Sequence, residues 1–130
     1  MKKKIISMFL AVAMVLSLAA CGSSNSAKSE SSTEAGKKTL KVAMECGYAP
    51  YNWTQSDDSN GAVKIKDSSD YAYGYDVMMA KKIADELGYD LQIVKLDWDS
   101  LIPAVQSGQV DCVIAGQSIT SERLQMVDFT

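Results

Sequence analysis

The chain has 130 residues, a length that accommodates at most one domain of ordinary size. Its composition, 47% apolar and 22% charged residues, is that of a globular protein rather than a disordered one. Because histidine is absent, Ser-His-Asp and Cys-His catalysis and His-ligated zinc are excluded. Thirteen basic against sixteen acidic residues give a net charge of −3, which leaves no basic excess for nucleic acid.

The first 20 residues have the organisation of an export signal. Lysines 2–4 precede an apolar run, Ile5 to Leu18, that is shorter than the roughly 20 residues of a membrane span. The next residues, Leu18-Ala19-Ala20-Cys21-Gly22, resemble the lipobox of bacterial lipoproteins, in which cleavage precedes a cysteine that then carries lipid. We therefore expect a signal peptide at 1–20 and lipid attachment at Cys21. The alternative is ordinary secretion with a free Cys21 thiol.

Residues 21–38 are expected to form the lipidated cysteine and a flexible tether. Between Gly22 and Lys38 there are six serines and no apolar side chain larger than alanine, so little surface can be buried to offset the cost of ordering. Without residues 1–20 the chain has ten basic and sixteen acidic residues, a net charge of −6. Attachment to a membrane would therefore depend on acyl chains rather than on attraction to anionic lipid.

Residues 39–130 alternate between apolar runs typical of strands and segments with helical spacing. Strands are predicted at Leu40–Met44, Leu91–Leu96, Val110–Ala115 and Met126–Phe129. Helices are predicted at Asp76–Leu87 and Ser100–Gln106, with Asp76 and Asp99 as N-caps and Gly88 ending the first helix. This order predicts a β-α-β-α-β unit with a parallel sheet and right-handed crossovers, so the fold class is α/β.

A polar insertion, Thr54–Asp70, separates the first strand from the first helix. Its turn at 58–61 and its alternating piece at 63–66 predict a surface hairpin. Calcium binding is disfavoured because Ser68 stands where an EF-hand-like loop needs a bidentate glutamate. We expect no metal site and no cofactor.

Two cysteines fall within the predicted sheet. Cys46 follows one strand and Cys112 lies near the start of another, so in a parallel sheet they belong to opposite ends. That separation exceeds the roughly 7 Å between Cα atoms that a disulfide allows, and we predict buried free thiols.

Ligands of open parallel sheets bind beyond the carboxyl ends of the strands, where the strand order reverses. The residues that follow the three predicted strands there include Glu45, Tyr48, Trp53, Trp98, Gly116, Gln117 and Ser118, and the only arginine, Arg123, comes soon after. A guanidinium fits a carboxylate through two parallel hydrogen bonds, and aromatic rings can enclose a ligand side chain. The alternatives are a surface ion pair of Arg123 with Glu122 or Asp128, aromatic packing at the core edge, and a solvated strand end at Glu45.

These segments resemble the polar-amino-acid-binding proteins of ABC importers, extracellular solute-binding family 3. The resemblance is carried by Leu40–Trp53, Gly74–Ala84, Ala115–Arg123 and Val127–Thr130 and covers essentially all of 39–130. Met78 departs from the family pattern, which usually has an acid there. The resemblance implies a periplasmic-binding-protein-like fold of two lobes that close on a ligand about a hinge, with residues 39–130 as part of the first lobe.

The resemblance implies six ligand-binding residues: Glu45, Tyr48, Trp98, Gly116, Ser118 and Arg123. The arginine and the serine would bind the α-carboxylate, and the glycine carbonyl would receive the α-ammonium group. The two aromatic rings would flank the ligand side chain, and the glutamate would face its polar tip. An acid at that position suggests arginine, lysine or ornithine as ligand; glutamine or another polar amino acid is the alternative.

The partners implied are an amino-acid ligand, an ABC permease with its ATPase, and the membrane through the lipid anchor. We expect a monomeric, non-enzymatic protein on the outer face of the cell membrane, and the short signal with its long serine tether favours a Gram-positive cell. Alternatives are a dehydratase-like enzyme on the same fold and a sensor or adhesin lipoprotein. Because the second lobe is not within 39–130, we expect this chain alone to bind amino acids weakly or not at all.

Overall fold

The computed structural model describes residues 36–130. The predicted signal peptide, the lipid attachment at Cys21 and most of the predicted tether therefore lie outside the described residues. The last tether residue, Lys38, contacts the fold, since its carbonyl accepts a hydrogen bond from the Asp90 N–H at 2.8 Å. Every helix between residues 36 and 130 is too short or too polar to cross a membrane.

Seven strands and two α-helices make up this part of the chain. In order they are β1 (Thr39–Met44), β2 (Gly47–Tyr48), β3 (Asn52–Gln55), β4 (Val63–Lys64), β5 (Tyr71–Tyr73), α1 (Tyr75–Leu87), β6 (Asp90–Lys95), α2 (Leu101–Gln106) and β7 (Cys112–Val113). Single 3₁₀ turns lie at Ser59–Gly61, Trp98–Ser100 and Arg123–Gln125.

The central sheet is parallel and has the order β6-β1-β7. β1 pairs along its whole length with β6, from Thr39 opposite Asp90 to Met44 opposite Lys95. After α1 the chain joins one side of β1, and after α2 it joins the other side, so the strand order reverses at β1. The predicted α/β class, the parallel sheet and its first three strands are confirmed.

The third strand is shorter than predicted, because only Cys112–Val113 of the predicted Val110–Ala115 forms a ladder with β1. The carboxylate of Asp111 accepts the Lys41 N–H at 2.8 Å, and the Asp111 N–H donates to the Lys41 carbonyl at 2.9 Å. One of these two bonds comes from a side chain rather than from the neighbouring backbone. Regular pairing therefore begins one residue later, at Cys112.

The core lies between the parallel sheet and the helices. Val42, Ala43 and Met44 of β1 are fully buried, as the middle strand of a sheet covered on both sides requires. Helix α1 contributes the buried residues Val77, Ala80 and Ala84, which recur at the three- and four-residue spacing of a helix face. Gly88 ends α1 with a φ of +68°, as predicted.

Both predicted N-caps are wrong. Helix α1 begins at Tyr75 after Gly74, and Asp76 lies inside its first turn, where its buried carboxylate accepts a hydrogen bond from Asn52 instead. Asp99 lies within the 3₁₀ turn Trp98–Ser100, one residue too early to cap α2.

The fourth predicted strand, Met126–Phe129, is also wrong. The chain forms the 3₁₀ turn Arg123–Gln125 and then continues without regular structure. The Met126 carbonyl accepts a hydrogen bond from the Gln106 side chain at 3.2 Å, and no strand among residues 36–130 pairs with this segment. An apolar run without a neighbouring strand has no ladder to join.

A second, antiparallel sheet of order β2-β3-β5-β4 was not predicted. The predicted hairpin about the turn at 58–61 is wrong, because β3 and β4 on either side of that turn both pair with β5 rather than with each other. Trp53, predicted in a ligand loop, lies in β3, and its ring meets Tyr73 edge to face at 5.2 Å between centroids. A parallel bridge from Ile65 to Ile93 joins this sheet to the central one.

Cys46 and Cys112 are both free thiols, as predicted. Cys112 lies opposite Val42 in the sheet. Cys46 comes four residues after Val42 and lies beyond the end of β1. Cys46 is buried as predicted, but Cys112 is only half-buried.

Candidate functional site

The loops that follow the parallel strands meet at one edge of the central sheet. The Leu96 N–H donates to the Met44 carbonyl at 3.1 Å, and the Ile114 N–H donates to the Ala43 carbonyl at 3.2 Å. These bonds hold the chain after β6 and after β7 against the end of β1. Because the strand order reverses at β1, this edge forms the kind of crevice in which open α/β sheets bind ligands.

Tyr48 and Gly116 come together at this edge. Tyr48 lies in β2, and its ring stacks on that of Tyr51 with 5.1 Å between centroids. Gly116 has a φ of +62°, and a Cβ at this position would lie 3.7 Å from Cε1 of Tyr48. The glycine therefore gives the tyrosine ring direct access to the backbone that follows β7. Tyr48 is 49% exposed, so about half of the residue is accessible to a ligand.

Arg123 is fixed by two contacts at the same edge. Its Nη1 donates to the Ser118 carbonyl at 2.7 Å, and its Cζ lies 5.4 Å from the centroid of the Trp98 ring. The backbone N–H of Arg123 donates to Thr120 Oγ1 at 3.2 Å, which fixes the start of the 3₁₀ turn. Between residues 36 and 130 the one ion pair joins Lys66 and Asp67, so the predicted alternative of a surface ion pair for Arg123 is not observed.

A cleft of about 270 Å³ opens beside these two side chains. Its lining residues come from the loop after β6, from α2 and from the segment after β7: Trp98, Asp99, Ile102, Pro103, Gln117, Glu122, Arg123 and Met126. Two carboxylates and one guanidinium therefore face the cleft. This balance suits a zwitterion that carries an additional positive charge.

The remaining predicted residues, Glu45, Tyr48, Gly116 and Ser118, do not line this cleft. Glu45 is half-buried directly after β1, and Ser118 is exposed. Arg123 contacts both Trp98 and Ser118. Tyr48 lies against Gly116. Glu45 is connected to Tyr48 only through the short turn at Cys46 and Gly47.

Sequence reasoning missed Tyr51 and Asn52, and it placed Gln117 at this edge without giving it a role. Tyr51 supports the ring of Tyr48, Asn52 is buried behind the turn at Cys46, and Gln117 lines the cleft. The polar Asn52 between the aromatic Tyr51 and Trp53 was the available signal for a buried hydrogen-bonding role.

A larger concavity of about 400 Å³ lies along α1, away from this edge. It is lined by Asn60, Gly61, Val77, Met78, Lys81, Lys82, Asp85 and Glu86. It contains no aromatic ring and none of the predicted ligand residues. Across the described part of the chain, no group of three or more acidic or cysteine side chains could hold a metal ion.

A comparison with protein families matches residues 40–130 to the bacterial extracellular solute-binding proteins, family 3. The chain belongs to this family. The match covers every described strand and helix except the first residue of β1, and it confirms the resemblance seen in the sequence. Family 3 proteins are extracellular, which places this chain outside the cytoplasm.

Individual relatives agree with this membership. The arginine-binding extracellular protein ArtP of Bacillus subtilis is 34% identical over 128 residues, which are 98% of this chain and 43% of ArtP. An ancestral arginine-binding protein, solved with arginine bound, is 38% identical with a TM-score of 0.58 over 72% of this chain and 36% of that protein.

A third comparison is with a single domain. The arginine-bound form of domain 1 from TmArgBP, solved as a mutant, is 34% identical with a TM-score of 0.53. The match covers 67% of this chain and 58% of that one. The chain thus spans less than half the length of ArtP and of the ancestral protein, and a larger share of the single domain. These relatives are named as binding proteins.

Proposed function

We propose that this chain provides first-lobe residues of the solute-binding component of an ABC amino-acid importer. The observation that carries the proposal is the position of Arg123 at the carboxyl edge of the parallel sheet. Its guanidinium is held by Trp98 and the Ser118 carbonyl and has no carboxylate partner among residues 36–130. A guanidinium that has unused N–H donors beside a cleft is suited to an anionic ligand group such as an α-carboxylate.

The other candidate residues would complete recognition of an amino acid. The Ser118 hydroxyl would add a donor to the carboxylate, and the Gly116 carbonyl would accept a hydrogen bond from the α-ammonium group. The exposed ring of Tyr48 and the ring of Trp98 would flank the ligand side chain. Glu45, half-buried at the end of β1, would face the tip of that side chain.

The ligand we propose is a cationic amino acid, with arginine first. Asp99 and Glu122 provide two negative charges in the cleft against the one positive charge of Arg123. Glu45 follows β1 directly, beside Lys95 at the end of β6. Relatives named as arginine-binding proteins support this choice. Glutamine or another polar amino acid is the second candidate, because a single glutamate does not settle specificity.

The proposed setting is the outer face of the cell membrane, most simply that of a Gram-positive cell. The signal at 1–20, the lipid on Cys21 and the serine-rich segment up to Lys38 would attach the binding domain there. The partners would be a permease and its ATPase, and we propose a monomer. We also propose that the chain is not an enzyme, since the residues at the edge include no nucleophile paired with a base.

Ligand titration of this chain tests the proposal. We expect arginine to bind with a Kd above the micromolar range, because one lobe leaves half of the ligand in water. The arginine-bound domain 1 of a relative supports binding by one domain rather than none. Calorimetry and ¹H–¹⁵N NMR with arginine, lysine, ornithine and glutamine would measure the affinities, and shifts confined to residues 45–48, 98 and 116–123 are expected.

The outcomes separate the alternative functions. Saturable shifts at these residues by any amino acid support a binding protein, whereas the absence of shifts from all four ligands contradicts the proposal. Chemical conversion of the ligand during the titration would show an enzyme instead. A micromolar Kd for this chain would contradict the expected weakness of a single lobe.

A further inference from the structure

A buried polar pair lies behind the proposed ligand edge. Asn52 in β3 is fully buried, and Asp76 in the first turn of α1 is 4% exposed. The Asn52 Nδ2 donates to Asp76 Oδ2 at 2.8 Å. Burying an amide and a carboxylate is costly unless both are hydrogen-bonded, so their presence here calls for a reason beyond packing.

The other end of the Asn52 amide holds the turn that follows β1. Its Oδ1 accepts the Cys46 N–H at 2.8 Å, and the Cys46 carbonyl accepts a hydrogen bond from Thr54 Oγ1 at 2.8 Å. Both backbone polar groups of Cys46 are thus bound by side chains of β3. Cys46 needs this support because its φ of +54° is unusual for a residue with a side chain.

The turn at Cys46 fixes the two proposed ligand residues on either side of it. Glu45 precedes Cys46 directly, and Tyr48 follows two residues later. A change in the conformation of Cys46 would redirect the Glu45 side chain and move the Tyr48 ring away from Gly116. The position of both residues therefore depends on the Asn52 amide.

The orientation of that amide is set by Asp76. A carboxylate only accepts hydrogen bonds, so the NH₂ group of Asn52 must face Asp76 and the carbonyl oxygen must face Cys46. The first turn of α1 is tied to the same loop, since the Asp76 N–H donates to the Tyr51 carbonyl at 2.8 Å. The helix therefore acts as the fixed support for the loop at 45–52, which contains Glu45 and Tyr48.

We propose that Asn52 and Asp76 are positioning residues that hold Glu45 and Tyr48 in place for the ligand side chain, an inference that rests on the proposed function. Neither residue touches the ligand. Disturbing the pair should therefore weaken discrimination between ligand side chains, while Arg123 and Ser118 keep their contacts with the α-carboxylate.

Exchange of the two side-chain types provides the test. Asn52→Asp places two carboxylates against each other and should displace the turn. The double change Asn52→Asp with Asp76→Asn restores one carboxylate and one amide, now reversed, with acceptors still available to the Cys46 N–H. Asn60→Asp, in the exposed 3₁₀ turn, is the matched control because it makes the same chemical change away from the pair.

Two measurements are made on each variant. The first is the ¹H NMR shift of the Gly116 α-protons in the ligand-free chain, which the Tyr48 ring current displaces in the native arrangement. The second is the ratio of the Kd values for arginine and glutamine. For Asn52→Asp we expect loss of the ring-current shift and a ratio of the arginine Kd to the glutamine Kd that is about tenfold higher, with both restored in the double variant.

The proposal is overturned if Asn52→Asp folds and leaves both the Gly116 shift and the Kd ratio unchanged. If that variant does not fold, Asn52→Ser removes the two hydrogen bonds without adding charge and is judged by the same measurements. The NMR measurement needs no ligand. Failure of the native chain to bind any amino acid would therefore contradict the proposed function, while the Gly116 shift would still decide this inference.

Discussion

The guanidinium of Arg123 lies over the indole ring of Trp98, with 5.4 Å between Cζ and the ring centroid. A cation above an aromatic face is held by the ring quadrupole, and the hydrogen bond from Nη1 to the Ser118 carbonyl fixes its rotation. The two residues come from loops after different strands. Their contact therefore joins the chain after β6 to the chain after β7 at the proposed site.

Replacement of Arg123 by lysine should weaken arginine binding although the charge is kept. A lysine ammonium cannot form two parallel hydrogen bonds with a carboxylate, so we expect a loss of about 2 kcal/mol, or about thirtyfold in Kd. Calorimetry on Arg123→Lys measures this change, and Lys82→Arg on the exposed face of α1 is the control. Equal affinities for Arg123→Lys and the native chain would show that the guanidinium does not bind the ligand carboxylate.

The two tryptophans allow an optical test of where the ligand binds. Trp98 is 36% exposed at the cleft, whereas Trp53 packs against Tyr73 in the antiparallel sheet. Addition of arginine should change the tryptophan fluorescence of the native chain and of Trp53→Phe but not that of Trp98→Phe. A change that persists in Trp98→Phe and disappears in Trp53→Phe would place the ligand elsewhere.

Glu45 should set the preference for a cationic side chain. In Glu45→Gln the negative charge at the end of β1 is lost, so the Kd for arginine should rise about tenfold while that for glutamine changes little. Glu86→Gln on α1 removes the same charge away from the sheet edge and is the control. An unchanged ratio of the two Kd values in Glu45→Gln would assign specificity to other groups, with Asp99 and Glu122 the next to test.

The sequence was sufficient to predict the parallel sheet because its signals are local. Leu40–Met44 and Leu91–Leu96 are apolar runs, and Gly88 marks a helix end, so each element is recognisable without its neighbours. That Glu45, Trp98 and Gly116 each follow a strand at the same edge of the sheet is expected from these elements and one rule of topology.

The antiparallel sheet and the buried pair could not be predicted in this way. β2 and β5 have two and three residues, too few for a periodic pattern, and they are stable only through their partners. Asp76 has the residue type and position of an N-cap, but tertiary contact with Asn52 decides its role. Met126–Phe129 has the composition of a strand and finds no pairing partner in the described region.

The Cys46 thiol should react slowly with alkylating reagents at neutral pH. Burial raises the pKa of Cys46 from 9.0 to about 11, an effect that the charge of Lys95 partly offsets. Since the thiolate is the reactive form and its pKa is raised by folding, labelling should accelerate only as the pH approaches 11. The stability that the protonated thiol provides is complete below pH 9 and is lost as the pH rises through about 11.

Peptide mapping by mass spectrometry follows each cysteine separately. Burial and the neighbouring Asp111 raise the pKa of Cys112 as well, but Cys112 is more accessible than Cys46. We therefore expect Cys112 to be labelled before Cys46 in the folded chain and both at similar rates in urea. Faster labelling of Cys46 in the folded chain would contradict its buried position behind the proposed ligand edge.

Among the glycines of residues 36–130, Gly74 should be the least tolerant of replacement, because it lies directly against the backbone of Tyr51 and Asn52 at the start of α1. Its φ of +129° and ψ of −178° are accessible essentially only to glycine, and a Cβ there would lie 2.3 Å from the Tyr51 carbonyl oxygen. That oxygen accepts the Asp76 N–H, so a shift to relieve the clash would also loosen the first turn of α1. We expect Gly74→Ala to lower the free energy of unfolding by about 3 kcal/mol.

Gly47→Ala is the matched control for this change. A Cβ on Gly47 meets no atom within 4 Å, so its effect on the free energy of unfolding should stay below about 1 kcal/mol. Urea unfolding followed by circular dichroism measures both variants. Equal midpoints for Gly74→Ala and Gly47→Ala would mean that the loop and the start of α1 can separate without cost. Helix α1 would then not explain how Tyr48 is held at the proposed ligand edge.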